Sequence, residues 1–130
     1  MRERGCRLAL LEFNPMRVNE KVFSVYIVTN IMKTVLYTGM TNCLEDRIVE
    51  HYLDRIDPKH FAGKYKCFYL LLYEDFKYVN DAISREKEIK GWTRAKKDAL
   101  ISVFNPGWNF LNKELLGEWP PTNPEHRKDR

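Results

Sequence analysis

Apolar residues in this chain gather into three short strand-like runs and three helical stripes. Val22–Thr29 (VFSVYIVT) is apolar at nearly every position, which predicts a central strand covered on both faces. Thr34–Met40 (TVLYTGM) has the same β-branched and aromatic character and predicts its partner. Asn30-Ile31-Met32-Lys33 lies between them and reads as a hairpin loop. With those residues as the loop, Tyr26 is expected to pair directly with Tyr37, on one face of two antiparallel strands.

The pattern then changes to a helical period. Asn42 is placed to cap a helix, and Glu45 completes a capping-box-like arrangement. The helix is expected to run to Leu53 or Asp54, ahead of Pro58, with Leu44, Ile48 and Tyr52 as its core stripe. Arg47 and His51 form a neighbouring i, i+4 stripe at the border of that face. Cys67–Glu74 (CFYLLLYE) predicts a third strand. Tyr78–Lys90 predicts a helix stopped by Gly91, and Thr93–Phe104 a second one stopped before Asn105-Pro106-Gly107. The order is β-β-α-β-α-α: a small α/β (α+β) domain, its mainly antiparallel three-stranded sheet flanked by helices. Gly39, late in the second strand, predicts the close approach of a backbone or a ligand.

Composition narrows this picture. A chain of 130 residues, 44% hydrophobic and 13% aromatic, fits one ordered domain with a modest core. Residues 1–20 are expected to be an extension, with Met16 a second possible start, residues 21–112 the domain, and residues 113–130 a polar, disordered tail. No apolar run reaches membrane-spanning length and no secretory signal is evident. Cys6, Cys43 and Cys67 show no CxxC or Cys/His spacing, which argues against a zinc site or a disulfide framework and favours a reducing, cytoplasmic setting. The net charge of +4 changes the picture because it is clustered. Six Lys/Arg (85, 87, 90, 94, 96, 97) stand against Glu86 and Glu88 within thirteen residues. Such a patch attracts a phosphate backbone, although a solvated helix face accounts for it equally well.

Glu86 is the most informative charged residue. It falls inside the apolar stripe Val79, Ala82, Ile83 and Ile89. A carboxylate on that stripe needs an ion pair, hydrogen bonds or a metal. One reading is a structural pair, with Arg47 as the candidate partner; the other is a metal ligand. Arg47 reads either as surface charge or as a guanidinium held toward a phosphate. His51 reads as a packing histidine or as a proton-transfer and phosphate-binding group. His60 and His126, in a loop and in the tail, carry little weight. Tyr26 and Tyr37, taken alone, read as sheet core.

The segments VYIVTN, LYTGMTNCLEDRIVEH, AISREKEIKGW and NPGWN together resemble the GIY-YIG nuclease domain over roughly residues 22–112. The likeness is to small stand-alone bacterial members, similar to the N-terminal cleavage domain of the excinuclease C subunit. Tyr-x-Gly, an Arg eight residues later and a helical Glu are specific in combination, whereas each alone is weak. The resemblance implies a divalent-metal-dependent DNA endonuclease of repair or recombination, using one Mg²⁺ or Mn²⁺. It implies Tyr26 and Tyr37 as the two motif tyrosines, Gly39 as the motif glycine, Arg47 as the catalytic arginine and His51 as a histidine found in many members. Glu86 would be the metal ligand and Asn109 the late supporting asparagine, with Asn105 a competing candidate. Gly39, Lys87, Lys90, Arg94, Lys96 and Lys97 would meet the DNA backbone with little sequence specificity, and a targeting protein could supply the rest. The first half-motif here reads Ser24-Val25-Tyr26, and Met40 stands where excinuclease-type members tend to carry lysine. That change leaves more of any activation to His51 or the metal. Two other readings stay open: a nucleic-acid-binding module of this fold without cleavage, and an interaction protein in which Glu86 is structural.

Overall fold

The structure, a computed structural model, describes residues 22–57, 59 and 64–121. The expected N-terminal extension, His60 and His126 lie outside these residues. Strands β1 (Phe23–Thr29), β2 (Leu36–Thr41) and β3 (Tyr69–Phe76) form one antiparallel sheet in the order β2-β1-β3. β1 takes the middle because it alone is buried on both faces, every residue from Ser24 to Thr29 being sealed from solvent. Helices α1 (Leu44–Leu53), α2 (Val79–Lys90), α3 (Arg94–Phe104) and the short α4 (Asn112–Leu116) complete the domain. The predicted β-β-α-β-α-α order holds, with α4 added after it.

The two faces of β1 serve different helices. Val25 and Ile27 pack with Leu72 of β3, Ala82 and Ile89 of α2, and Ile101 of α3. Tyr26 and Val28 pack with Leu44 and Ile48 of α1 and Leu70 of β3. Leu111, Leu115 and Leu116 close over this second cluster from around α4. Leu71 is an extra residue in β3 opposite the Ile27–Val28 step, and it too is fully buried.

The hairpin register differs from the expected one by two residues. Tyr26 stands opposite Gly39, and Tyr37 opposite Val28. The loop consumes six residues instead of four, because the Asn30 side chain organises it. Its amide oxygen accepts from the backbone N–H groups of Thr34 and Val35 at 2.8 and 3.1 Å. Its amide nitrogen donates to Thr34 Oγ1, and Lys33 N–H donates to Asn30 C=O with Lys33 at φ 61°. A shift of two keeps side chains on their original face, so both tyrosines still share one side of the sheet.

The start of α1 also departs from expectation. Cys43 is the N-cap, without a side-chain cap bond, and Asn42 is exposed. Thr41 does the local work: its hydroxyl accepts from Cys43 N–H at 3.1 Å. Cys43 is disulfide-bonded, a pairing that the cysteine spacing did not reveal, whereas Cys67 is free and buried. Gly91 caps α2 in an ordinary right-handed conformation at φ −84°. Beyond the expected domain end, Trp119 packs edge-on against Tyr52 at 5.0 Å.

Candidate active site

Tyr26 sits at the centre of the second core face, only 2% exposed. Its ring lies across the backbone of Gly39, its cross-strand neighbour. A Cβ on residue 39 would fall 2.6 Å from Tyr26 Cζ, so glycine is what lets the phenol cross there. The close approach predicted at Gly39 is therefore made by Tyr26. The phenol oxygen reaches His51 Nε2 of α1 at 2.9 Å, in a buried hydrogen bond. Tyr37, half-buried on β2, packs its ring against both, with centroids 6.4 Å from Tyr26 and 5.6 Å from His51.

Charge surrounds this triad. Burial raises the Tyr26 phenol well above the ordinary tyrosine value. Arg47 opposes that rise, while Tyr37, Glu86 and Glu50 add to it. The phenol is thus neutral at physiological pH; when His51 carries its proton on Nδ1, the phenol donates to Nε2. Arg47, one turn before His51, is 43% exposed and pairs loosely with Glu50 at 3.5 Å. Its guanidinium is available to an incoming anion, because an exposed pair of that length is weak.

Glu86 lies on α2 with 20% of its side chain exposed. Its partner is Lys90, Nζ to Oε2 3.1 Å, and not Arg47. The stripe that singled it out is only partly apolar in space: Ala82 and Ile89 are fully buried, Ile83 is half-buried and Val79 is 40% exposed.

The remaining expected residues separate into groups. Asn105 is buried, and its amide nitrogen donates to Leu71 C=O at 3.0 Å and to Asn109 C=O at 2.8 Å. Asn109 is exposed and its backbone N–H returns a bond to Asn105 Oδ1 at 3.1 Å. Both line a cavity of about 690 Å³ with Glu45, Tyr73 and Phe104. Asn112, which sequence reasoning missed, is 1% exposed; its amide accepts from Leu70 N–H at 2.8 Å and donates to Phe68 C=O at 2.7 Å. Of the basic residues, Arg94 is engaged with Asp98 at 2.8 Å and with the hairpin-loop carbonyls of Thr34 and Lys33 at 2.9 and 3.0 Å. Lys96 lies over the Trp92 ring at 4.5 Å, and Lys87 and Lys97 stand on α2 and α3 with no ion pair among the described residues. Met40 packs on the α2 and α3 face, away from Tyr26.

Two tyrosines on adjacent strands, a glycine under one of them, an arginine and histidine one turn apart, and a glutamate on the second helix are now placed together. The family model of the GIY-YIG catalytic domain matches residues 22–98, which include all of them. The chain belongs to the GIY-YIG catalytic domain family. No match was found among curated proteins or among solved structures. GIY-YIG membership carries a nuclease-type fold, in a family whose members are generally endonucleases and typically use a divalent metal. Among the described residues there is no group of three or more His, Cys, Asp or Glu that could hold a metal ion. A hydrated Mg²⁺ or Mn²⁺ held by one hard carboxylate does fit Glu86, which is half-buried and already binds one cationic group. Among the described residues no helix is long and apolar enough to cross a membrane.

Proposed function

We propose that this GIY-YIG domain hydrolyses DNA phosphodiester bonds with one Mg²⁺ or Mn²⁺ held by Glu86. The observation that carries the reading is the Tyr26–His51 bond packed against Tyr37, with the charges of Arg47 and Glu86 both acting on the Tyr26 phenol. The metal, when bound, supplies Lewis-acid polarisation of the phosphate and stabilises the leaving oxygen. Tyr26 is sealed and neutral, so it orients His51 instead of acting as a base. Tyr37 is the phenol with solvent access and is the one placed to align the attacking water. Arg47 gives up its loose pair with Glu50 and meets the negative charge carried by the non-bridging phosphate oxygens. Asn105 supports the loop after α3 and so takes the supporting role in place of Asn109. Lys87, Lys96 and Lys97 contact the backbone without reading sequence, while Arg94 serves mainly to hold the hairpin loop. Low intrinsic specificity fits a role in repair or recombination with a targeting partner.

The test is a metal-dependent cleavage panel over single-stranded, nicked, flapped and branched DNA, with Glu86→Ala beside wild type. Cleavage by wild type and none by a folded Glu86→Ala supports the assignment; equal cleavage by both refutes it. Binding without cleavage is a second reading, favoured by the pairing of Glu86 with Lys90. A gel shift without nicking in any divalent metal would establish it.

A further inference from the structure

We propose that Lys90 is the resident counter-ion of the Glu86 site, displaced when a divalent cation binds, and that its charge sets the metal affinity of this domain. The inference rests on Glu86 being the metal ligand. The two side chains meet at 3.1 Å on one helix, four residues apart. Glutamate on the N-terminal side is the better orientation for such a pair. No backbone has to move to make or break it, because both groups belong to α2. Glu86 is 20% exposed and Lys90 53%, so the carboxylate is held in place while the ammonium can swing into water.

Arg85 and Arg94, two other cations of this segment, are committed elsewhere. Arg85 donates to both oxygens of Glu74, at 2.8 and 3.0 Å, and also to Glu88. Arg94 is held by Asp98 and the hairpin loop. Among the described residues Lys90 is thus the ion-pair partner of Glu86, and it lies where an incoming cation must bind. An i, i+4 pair of this exposure is worth roughly a factor of two in an equilibrium constant. The repulsion between an ammonium and a dication a few ångströms away adds to that, screened by water and salt. Removing the charge should therefore tighten metal binding about three- to ten-fold.

The experiment is Mn²⁺ titration of the full chain, read by electron paramagnetic resonance of the free ion. It compares wild type with Lys90→Arg, Lys90→Met and Lys90→Glu. Glu86→Gln tests the site itself, and Lys113→Met, on α4, controls for net charge. The expected order of affinity is Lys90→Glu, then Lys90→Met, then Lys90→Arg equal to wild type. Glu86→Gln should lose the site, and Lys113→Met should stay within about two-fold of wild type. If Lys90→Met binds Mn²⁺ as wild type does while Glu86→Gln does not, the metal site stands and the counter-ion role is overturned. If Glu86→Gln binds like wild type, the metal assignment itself fails. Circular dichroism of each variant separates lost binding from lost fold.

Discussion

Gly39→Ala puts the largest local demand on the site with the smallest chemical change. The new methyl would meet Tyr26 at its hydroxyl and at Cζ, 2.6 Å away, with Cε2 at 3.1 Å. The ring cannot yield easily, because it is 2% exposed and bonded to His51 at 2.9 Å. Overpacking of this kind costs about 1–3 kcal/mol. Loss of the phenol–imidazole bond adds about 0.5–1.5 kcal/mol. The expected destabilisation is therefore about 2–4 kcal/mol, a large part of the stability of a small domain. A double-mutant cycle in urea isolates the cause. In a Tyr26→Val background the ring is gone and the methyl has room. There Gly39→Ala should cost nothing, or stabilise by about 0.5–1 kcal/mol through reduced chain entropy. The coupling energy should exceed about 2 kcal/mol. If Gly39→Ala costs the same in both backgrounds, the ring is not what the glycine accommodates, and the account of residue 39 is wrong.

Other outcomes follow from the same geometry. Tyr37→Phe should lower the cleavage rate by about 10²- to 10⁴-fold with a fold unchanged by circular dichroism. Tyr26→Phe should act more weakly, through a loosened His51; an equal loss from both would contradict the division of labour between them. Alkaline pH should destabilise the domain. Burial pushes the Cys67 thiol from 9.0 up to about 11 and raises Tyr26 above its ordinary 10.0, so the folded state holds both protons more tightly than the unfolded state does. Stability is then complete below about pH 9 and is lost as pH climbs through 9–11 and beyond. Urea midpoints across pH 8–11 should fall less steeply above pH 10 for Tyr26→Phe; parallel curves would remove Tyr26 from the explanation. Asn112→Ala should cost about 2–4 kcal/mol in urea unfolding, since it strands Leu70 N–H and Phe68 C=O in the core. Asn112→Asp should fail as well, lacking the donor that Phe68 C=O needs.

The sheet, its central strand and the first five connections could be read from the chain because period and turn residues act locally. Register could not, because Asn30 gathers Thr34 and Val35 with its side chain and lengthens the loop. The shared face of Tyr26 and Tyr37 survived only because the shift was an even number of residues. The capping-box expectation at Asn42 failed for a similar reason: Thr41, one residue earlier, reaches Cys43 first. Glu86 was recognisable from its place in an apolar stripe, but its partner was not. The i, i+4 spacing to Lys90 was present in the sequence and outcompetes any longer reach to Arg47. Asn105 and Asn112 act across 34 to 44 residues on backbone groups of β3 and its approach. Nothing in local pattern signals such a contact, whereas the asparagine made prominent by its motif, Asn109, has an exposed side chain.

The placement of β1, β2 and α1 gives the site an uneven assembly. Tyr26, Tyr37, Arg47 and His51 all lie within one contiguous hairpin–helix stretch, so their meeting requires only short loops to close. Glu86 arrives from α2, after β3 has added to the far side of β1. The phenol–imidazole half is therefore of low contact order and the carboxylate half of high contact order. Weakening the docking of α2 at Ala82 or Ile89 would strip the carboxylate from a phenol cluster that remains formed. In this domain, the metal site proposed at Glu86 is the part of the site most exposed to partial unfolding.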